Sequence, residues 1–410
     1  GAEIAALLDI PPATVRWHVS EIKKKLKEGI EMEENLSFEQ KVLWCGHDGE
    51  ANDYNMRGIG HNPLVNNICI ACYGKELTIE EISRTLRVAA AYIEPLVEDL
   101  LYMDYFRTVG KNRYTTNFYI ETAHFRLSKA RYYLNNLEPI ARRISEVFRR
   151  YLDEIKAVGF FGSDLDSDFL LWALIPVALQ KLYYRSLESI LNKNKIVIDT
   201  PLRKDGSRHW VHAGFDEASS GFTPEEKDFS KRSTHTGIKT NNADTGEKTL
   251  QYDGYFIFKT GKYWREVFSE DDMRAIRHIA ELIRKNETPN DYDKMRIAAF
   301  VQQGYAKMEG GNPKLMIPFF DAEEWASFNA VLDKIQKEIG ETLFAGLIEG
   351  FAEAMEKEIP SFISKDEKTY LKYSAYPQYA LLCWLVDNGL LRDPTDEEAK
   401  RLSTVVWCEK

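Results

Sequence analysis

Arg16, Lys23, Lys24, Lys25 and Lys27 crowd a stretch of twelve residues that holds a single acid, Glu21. Cations at that density do one kind of chemistry well: they neutralise the phosphates of a polyanion and release its counterions. The rest of the chain makes the cluster stand out. Across 410 residues, 54 Lys and Arg against 64 Asp and Glu leave a formal charge of −10. Any contact with nucleic acid is therefore confined to a local basic patch.

Other chemistry-bearing residues do not assemble in the sequence. Cys69-Ile70-Ala71-Cys72 has metal-ligand spacing, with Cys45, His47 and His61 upstream. The pair falls inside an apolar helical run and no second CxxC follows, so no metal site is expected. Asp164, Asp166 and Asp168 alternate like a calcium loop but lack its glycine and final glutamate, and read as a helix-capping loop. His209 and His212 flank Trp210 on an expected strand, where alternation sends them to unequal faces. No phosphate-binding glycine loop, GxSxG or HExxH occurs, so a non-enzymatic protein without cofactor is expected. Five cysteines, an odd number, suit reduced thiols in the cytoplasm. No apolar run reaches the length of a membrane span and no signal peptide opens the chain, so no membrane partner is expected.

The basic cluster needs a helix to present it. Glu3 to Leu8 places Ile4, Leu7 and Leu8 at helical spacing. Asp9-Ile10-Pro11-Pro12 stops that helix, because a proline disfavours the α conformation in the residue before it. Pro12 suits the first turn of a second helix, which Gly29 would end. In this second helix Val15, Val19, Ile22 and Leu26 form one stripe, expected to pack on Ile4, Leu7 and Ile10. Trp17, Ser20, Lys24 and Lys27 lie opposite. Two short helices joined by a tight turn, the second basic on its outer side, fit the geometry for laying a helix in a major groove. The plainer reading is an amphipathic helix with a solvated face.

The segment EIAALLDIPPATVRWHVSEIKKKLKEG resembles the helix-turn-helix of region four of RNA polymerase sigma factors of the extracytoplasmic-function type. Ile4-Ala5, Leu8, Ile10-Pro11, Thr14-Val15 and Lys24-Lys25-Leu26 carry the likeness. It is also similar to the helix-turn-helix of LuxR-like regulators, through Thr14-Val15, His18, Ile22 and Lys25-Leu26. Both resemblances imply a bacterial transcription protein bound to promoter DNA, and the first implies RNA polymerase core as a partner. They place Thr14, Arg16, Trp17 and Ser20 at base or phosphate contacts, and Lys23, Lys24 and Lys27 on the backbone. The likeness covers about thirty residues. The promoter-melting region and the earlier helices of region four are missing. The chain also opens inside what reads as a helix, so it is expected to be part of a longer protein with Gly1 an added residue. Trp17 is a large aromatic opposite the core stripe, and an intramolecular contact between it and the C-terminal extension is expected.

Beyond this end the pattern predicts a mainly α chain with small antiparallel β elements, an α+β protein of five segments. These are a partial helix-turn-helix at 1–32, a linker at 33–63 with a short helix from Phe38 to Trp44, a winged-helix-like domain at 64–122, an α+β domain with an aromatic sheet at 123–266, and a helical domain with winged-helix-like ends at 267–410. In 64–122, Thr78-Ile79-Glu80-Glu81 is a capping box, and strands at Phe106–Val109 and Tyr114–Ile120 flank a turn. The third helix there carries Glu94, Glu98 and Asp99, followed by Asp104, and no Lys or Arg, so it should meet protein and not DNA. In 123–266, helices at Phe125–Val158 and Asp168–Leu191, the latter kinked at Pro176, precede strands at Ile196–Ile198, Trp210–His212 and Tyr252–Phe258, with a loop at Glu217–Gly246. Trp210, Tyr255 and Trp264 are candidates for an effector pocket, against the alternative of an ordinary aromatic sheet core. Leu100–Ile120, Phe300–Phe320 and Leu382–Trp407 share a helix-then-hairpin pattern and predict repeated modules, the later two fed by helix starts near Ser269 and Asp321.

Overall fold

The computed structural model describes residues 11, 14, 15, 17–24, 40–51, 59, 62–215, 219–233, 237–241, 246–252 and 268–409. They form a mainly helical chain with small antiparallel and mixed sheets. Two compact units divide it. The first comprises Gly1–Ala123, Ile198–Ala218 and Pro360–Lys368, the second His124–Val197, Ser219–Ile359 and Thr369–Lys410. The stretch 123–266 is thus shared between them.

The first unit starts with a helical stretch, α1 (17–24), then strand β1 (Trp44–Glu50). Trp44, expected to close a helix, instead opens that strand. Its partner Gly214 decides this: a Cβ there would lie 2.4 Å from the Trp44 indole, so only glycine admits the ring. Helix α2 (Pro63–Ala71) begins where the Asn62 side chain accepts from the Leu64 and Val65 amides. Helix α3 (Ile79–Leu86) begins at the Thr78–Glu81 capping box. Helix α4 (Ala90–Tyr102) buries Ile93, Val97 and Leu100 on one face, against Ile68, Ile82 and Leu86. Asp104, at φ 61°, turns the chain so that the Tyr105 amide reaches Leu100 O at 2.8 Å.

Strands β2 (Phe106–Thr108) and β3 (Tyr114–Thr116) then form a hairpin. The second expected strand does not run on to Ile120. The chain leaves the hairpin, and β4 (Ile120–Glu121) pairs in parallel with β5 (Arg208–Gly214). β5 also pairs antiparallel with β1, giving the order β1-β5-β4.

The second unit is built on long helices: α5 (Ala123–Asn136), α6 (Glu138–Ala157) and α7 (Ser167–Asn194). α7 is apolar on every side from Phe169 to Leu174, all buried, so it is the centre of this unit. It continues as helix through Pro176. Ile196–Ile198, expected as a strand, is not one, because no neighbouring strand pairs with it. The expected loop at Glu217–Gly246 contains helix α8 (Pro224–Ser233) and strand β6 (Gly237–Asn241).

Strand β7 (Glu247–Tyr252) leads to α9 (Glu270–Lys285), α10 (Asp291–Gln303), the hairpin β8 (Ala306–Glu309) and β9 (Asn312–Leu315), and β10 (Phe319–Phe320). The Ser269 and Asp321 helix starts stand as expected, each a reciprocal capping box. α11 (Ala322–Ile339) and α12 (Glu341–Glu356) follow. α11 lies along α6, with the Arg143 guanidinium donating to Glu338 O at 3.1 Å. α12 meets α5, where Tyr132 donates to Leu347 O at 2.7 Å and the Tyr132 and Tyr133 rings pack on Phe351. After α13 (Lys365–Lys372), α14 (Gln378–Asp387) and α15 (Asp396–Ala399), strand β11 (Thr404–Cys408) closes a sheet of order β10-β11-β7-β6. Leu382–Trp407 is therefore not a third hairpin module. Its one strand fills the centre of a sheet, because β10 and β7 flank it.

Candidate nucleic-acid interface

The basic end is anchored at its start. The Thr14 amide donates to Pro11 O at 2.9 Å and the Val15 amide to the same oxygen at 3.3 Å, which opens the helical turn. Val15 is buried and Thr14 half-buried. Beyond them the helix stands out. Trp17 is 60% exposed, and Ser20, Lys23 and Lys24 are exposed with no ion pair among the described residues. Arg16 and Lys27 lie outside the described residues. Trp17, Ser20 and Lys24 share one side of the helix, as the spacing predicts.

Two expectations fail here. Among the described residues of the core stripe Val15 is covered, while Val19 is 38% and Ile22 56% exposed. Ile4, Leu7, Ile10 and Leu26 lie outside the described residues. Among the described residues the ring neighbour of Trp17 is His18, edge-on at 4.8 Å, and the expected contact with the C-terminal extension is not found.

The aromatic pocket does not assemble among the described residues. Trp210 is buried on β5, and Tyr255 and Trp264 lie outside the described residues. What β5 and the turn before it carry instead is a partly buried polar chain that sequence reading missed. The Tyr105 hydroxyl and His209 Nε2 are 2.8 Å apart. Ser207 Oγ lies 3.2 Å from His209 Nδ1 and donates to Asp205 at 2.7 Å. Arg203 donates to Asp104 O at 3.1 Å and stands 5.5 Å over the Tyr105 ring. Burial lowers the His209 pKa to about 4, with the Arg203 charge adding to the effect, so the imidazole is neutral. Burial raises the Tyr105 phenol and lowers the Arg203 guanidinium. The chain ties β5 to the turn after α4. The alternation of Asp205, Ser207 and His209 was the available signal, but its partner stands 104 residues upstream.

His212, on the other face, pairs with Asp48 at 3.3 Å. Of the three aspartates read as a capping loop, Asp166 caps the helix and the other two form ion pairs. Asp166 accepts from the Asp168 and Phe169 amides, Asp164 pairs with Lys314, and Asp168 with Arg149 at 2.8 Å. Burial pushes the Cys45 and Cys72 thiols up to about 12 and Cys69 well above its usual range, so none is a ready nucleophile. Among the described residues no group of three or more His, Cys, Asp or Glu could hold a metal ion, and no helix is long and apolar enough to cross a membrane.

No family model matches the chain, and no curated protein or solved structure does either.

Proposed function

We propose that this chain is a non-enzymatic, cytoplasmic transcription protein that contacts duplex promoter DNA through α1, with the rest of the chain as a scaffold or regulator of that contact. The observation that carries the reading is the open face of α1: Trp17, Ser20, Lys23 and Lys24 are all exposed on one short helix. The sequence likeness to sigma region four supports the same face. The charge of −10 supports its confinement to this end, because phosphate contact in an acidic chain needs a local basic patch. RNA polymerase core is the protein partner this reading implies, and a winged-helix role for the α2–β3 segment belongs to it as a protein-facing module.

The test is fluorescence anisotropy with a labelled duplex across a salt series. Binding should weaken steeply with salt, and Lys23→Glu with Lys24→Glu should reduce the slope of log affinity against log salt by about two. An unchanged slope removes this face from the proposal.

A second reading is favoured by the uncovered Val19 and Ile22: α1 docks on protein through them. Binding of duplex that resists both charge reversals, together with capture of polymerase core lost in Ile22→Asp, would favour it.

A further inference from the structure

The first unit carries two exposed helices of opposite character. α4 presents Tyr92, Pro95, Asp99 and Tyr102 along one line, with Glu94 and Glu98 beside it. Tyr92 is 68% and Tyr102 61% exposed. Ten residues of helix set the two rings about 15 Å apart. The helix has three carboxylates and no Lys or Arg, and none of the three acids is in an ion pair among the described residues. Large aromatics rimmed by charge on a helix face mark a docking surface more often than a solvated one.

α1 offers the complement. Val19, Ile22 and Lys23 lie on one side of it, all exposed, with Lys24 adjacent. This is the side left uncovered where a packed stripe was expected. Apolar groups flanked by lysines match aromatic groups flanked by carboxylates in both hydrophobicity and charge.

We propose that α4 is the docking site for α1 of a second copy of this chain, in a reciprocal, two-fold exchange. Val19 and Ile22 of one protomer lie in the span between Tyr92 and Tyr102 of the other, and Lys23 faces the carboxylates beside them. Each protomer gives and receives one helix, so the contact closes on itself and does not propagate. Trp17 and Ser20 stay on the opposite side of α1, clear of the exchange. This goes beyond the DNA reading and does not depend on it.

The experiment is the solution mass of the intact chain by sedimentation over a concentration series, without DNA. The wild type should shift from monomer to dimer. Glu94→Lys with Glu98→Lys should weaken the dimer about tenfold or more, and so should Lys23→Glu with Lys24→Glu. These positions are exposed, so both variants should fold, as circular dichroism checks. An equal mixture of the two variants should recover dimer mass, because each then meets an opposite charge. A wild type that stays monomeric at its highest soluble concentration overturns the proposal. So does a dimer that neither reversal weakens, or a mixture that stays monomeric. DNA binding by the Glu94→Lys, Glu98→Lys variant is read separately, so failure of the self-contact is distinguishable from failure of the DNA face.

Discussion

Asp104 leaves α4 at φ 61° and the Tyr105 amide turns back to Leu100 O; two hundred residues on, Gly304 leaves α10 at φ 83° and the Tyr305 amide turns back to Phe300 O at 2.9 Å. The correspondence extends in both directions. Ile93, Val97 and Leu100 are buried in the first unit and Asp293, Ile297 and Phe300 in the second. Tyr105 O accepts from the Asn117 amide and Tyr305 O from the Met316 amide, both at 2.8 Å. After each hairpin a two-residue strand pairs in parallel with a central strand, β4 with β5 and β10 with β11. That central strand is antiparallel to the one that precedes the helices, β1 or β7. Two regions with this much shared register form an internal structural repeat.

They differ in what holds the buried tyrosine. In the first unit Tyr105 meets a neutral histidine of the sheet. In the second Tyr305 packs edge-on to Phe268 at 4.6 Å, and the Phe268 amide donates to Gln251 on β7 at 3.0 Å. One backbone plan thus accepts a polar tether or an aromatic one. The polar tether brings pH dependence with it.

The comparison can be broken or sharpened by substitution. The largest effect is expected at the matched core positions: Phe300→Ala should cost about 3–5 kcal/mol and Leu100→Ala about 2–5 kcal/mol in denaturant unfolding. Amide exchange should place the first loss in the second unit and the second in the first; a loss in the other unit's amides would break the comparison. Tyr105→Phe leaves the buried His209 nitrogen without its hydroxyl and should cost about 1–3 kcal/mol, whereas a neutral result would show that the tether is incidental. Gly304→Ala puts a Cβ on a left-handed residue and should cost about 1–2 kcal/mol. Asp104→Gly should be neutral or stabilising by up to about 1 kcal/mol, since the Lys204 pair it gives up is exposed.

The smallest effect near neutrality is a slope. His209, held near pKa 4 against 6.5 unfolded, adds stability that is present above 6.5 and lost as pH falls toward 4. Glu367 works in the opposite sense. Burial raises its carboxyl to about 7 from 4.5, although it accepts from the Tyr119 amide at 2.8 Å. It adds stability that is present below 4.5 and lost as pH rises through 7. Glu367→Gln should therefore leave stability nearly unchanged at pH 5 and raise it at pH 8, read at the Tyr119 amide by hydrogen exchange. In the second unit Glu398, held down to about 2 chiefly by Arg392, loses its contribution only as pH falls below 4.5. A neutral-range slope in the second unit's amides would contradict the contrast.

Local features were legible. Thr78-x-x-Glu81, Ser269-x-x-Asp272 and Asp321-x-x-Glu324 name their own helix starts, because each capping box closes within four residues. The helix-then-hairpin likeness of Leu100–Ile120 and Phe300–Phe320 was equally local. The candidate site was legible only as a basic helix. That its stripe would remain open at Val19 and Ile22 depends on what lies against it.

By itself the sequence determined where several helices begin, that α4 carries acids and no Lys or Arg, and that positive charge is concentrated in the stretch before residue 28. Those follow from contacts within one or two turns of chain. Only the tertiary structure decided that Ile120 pairs with Ala213, that His209 meets Tyr105, and that two distant stretches repeat one sheet plan. Strand partners and buried polar pairs are chosen by what else needs a hydrogen bond in the same core, and that choice is made across the whole chain.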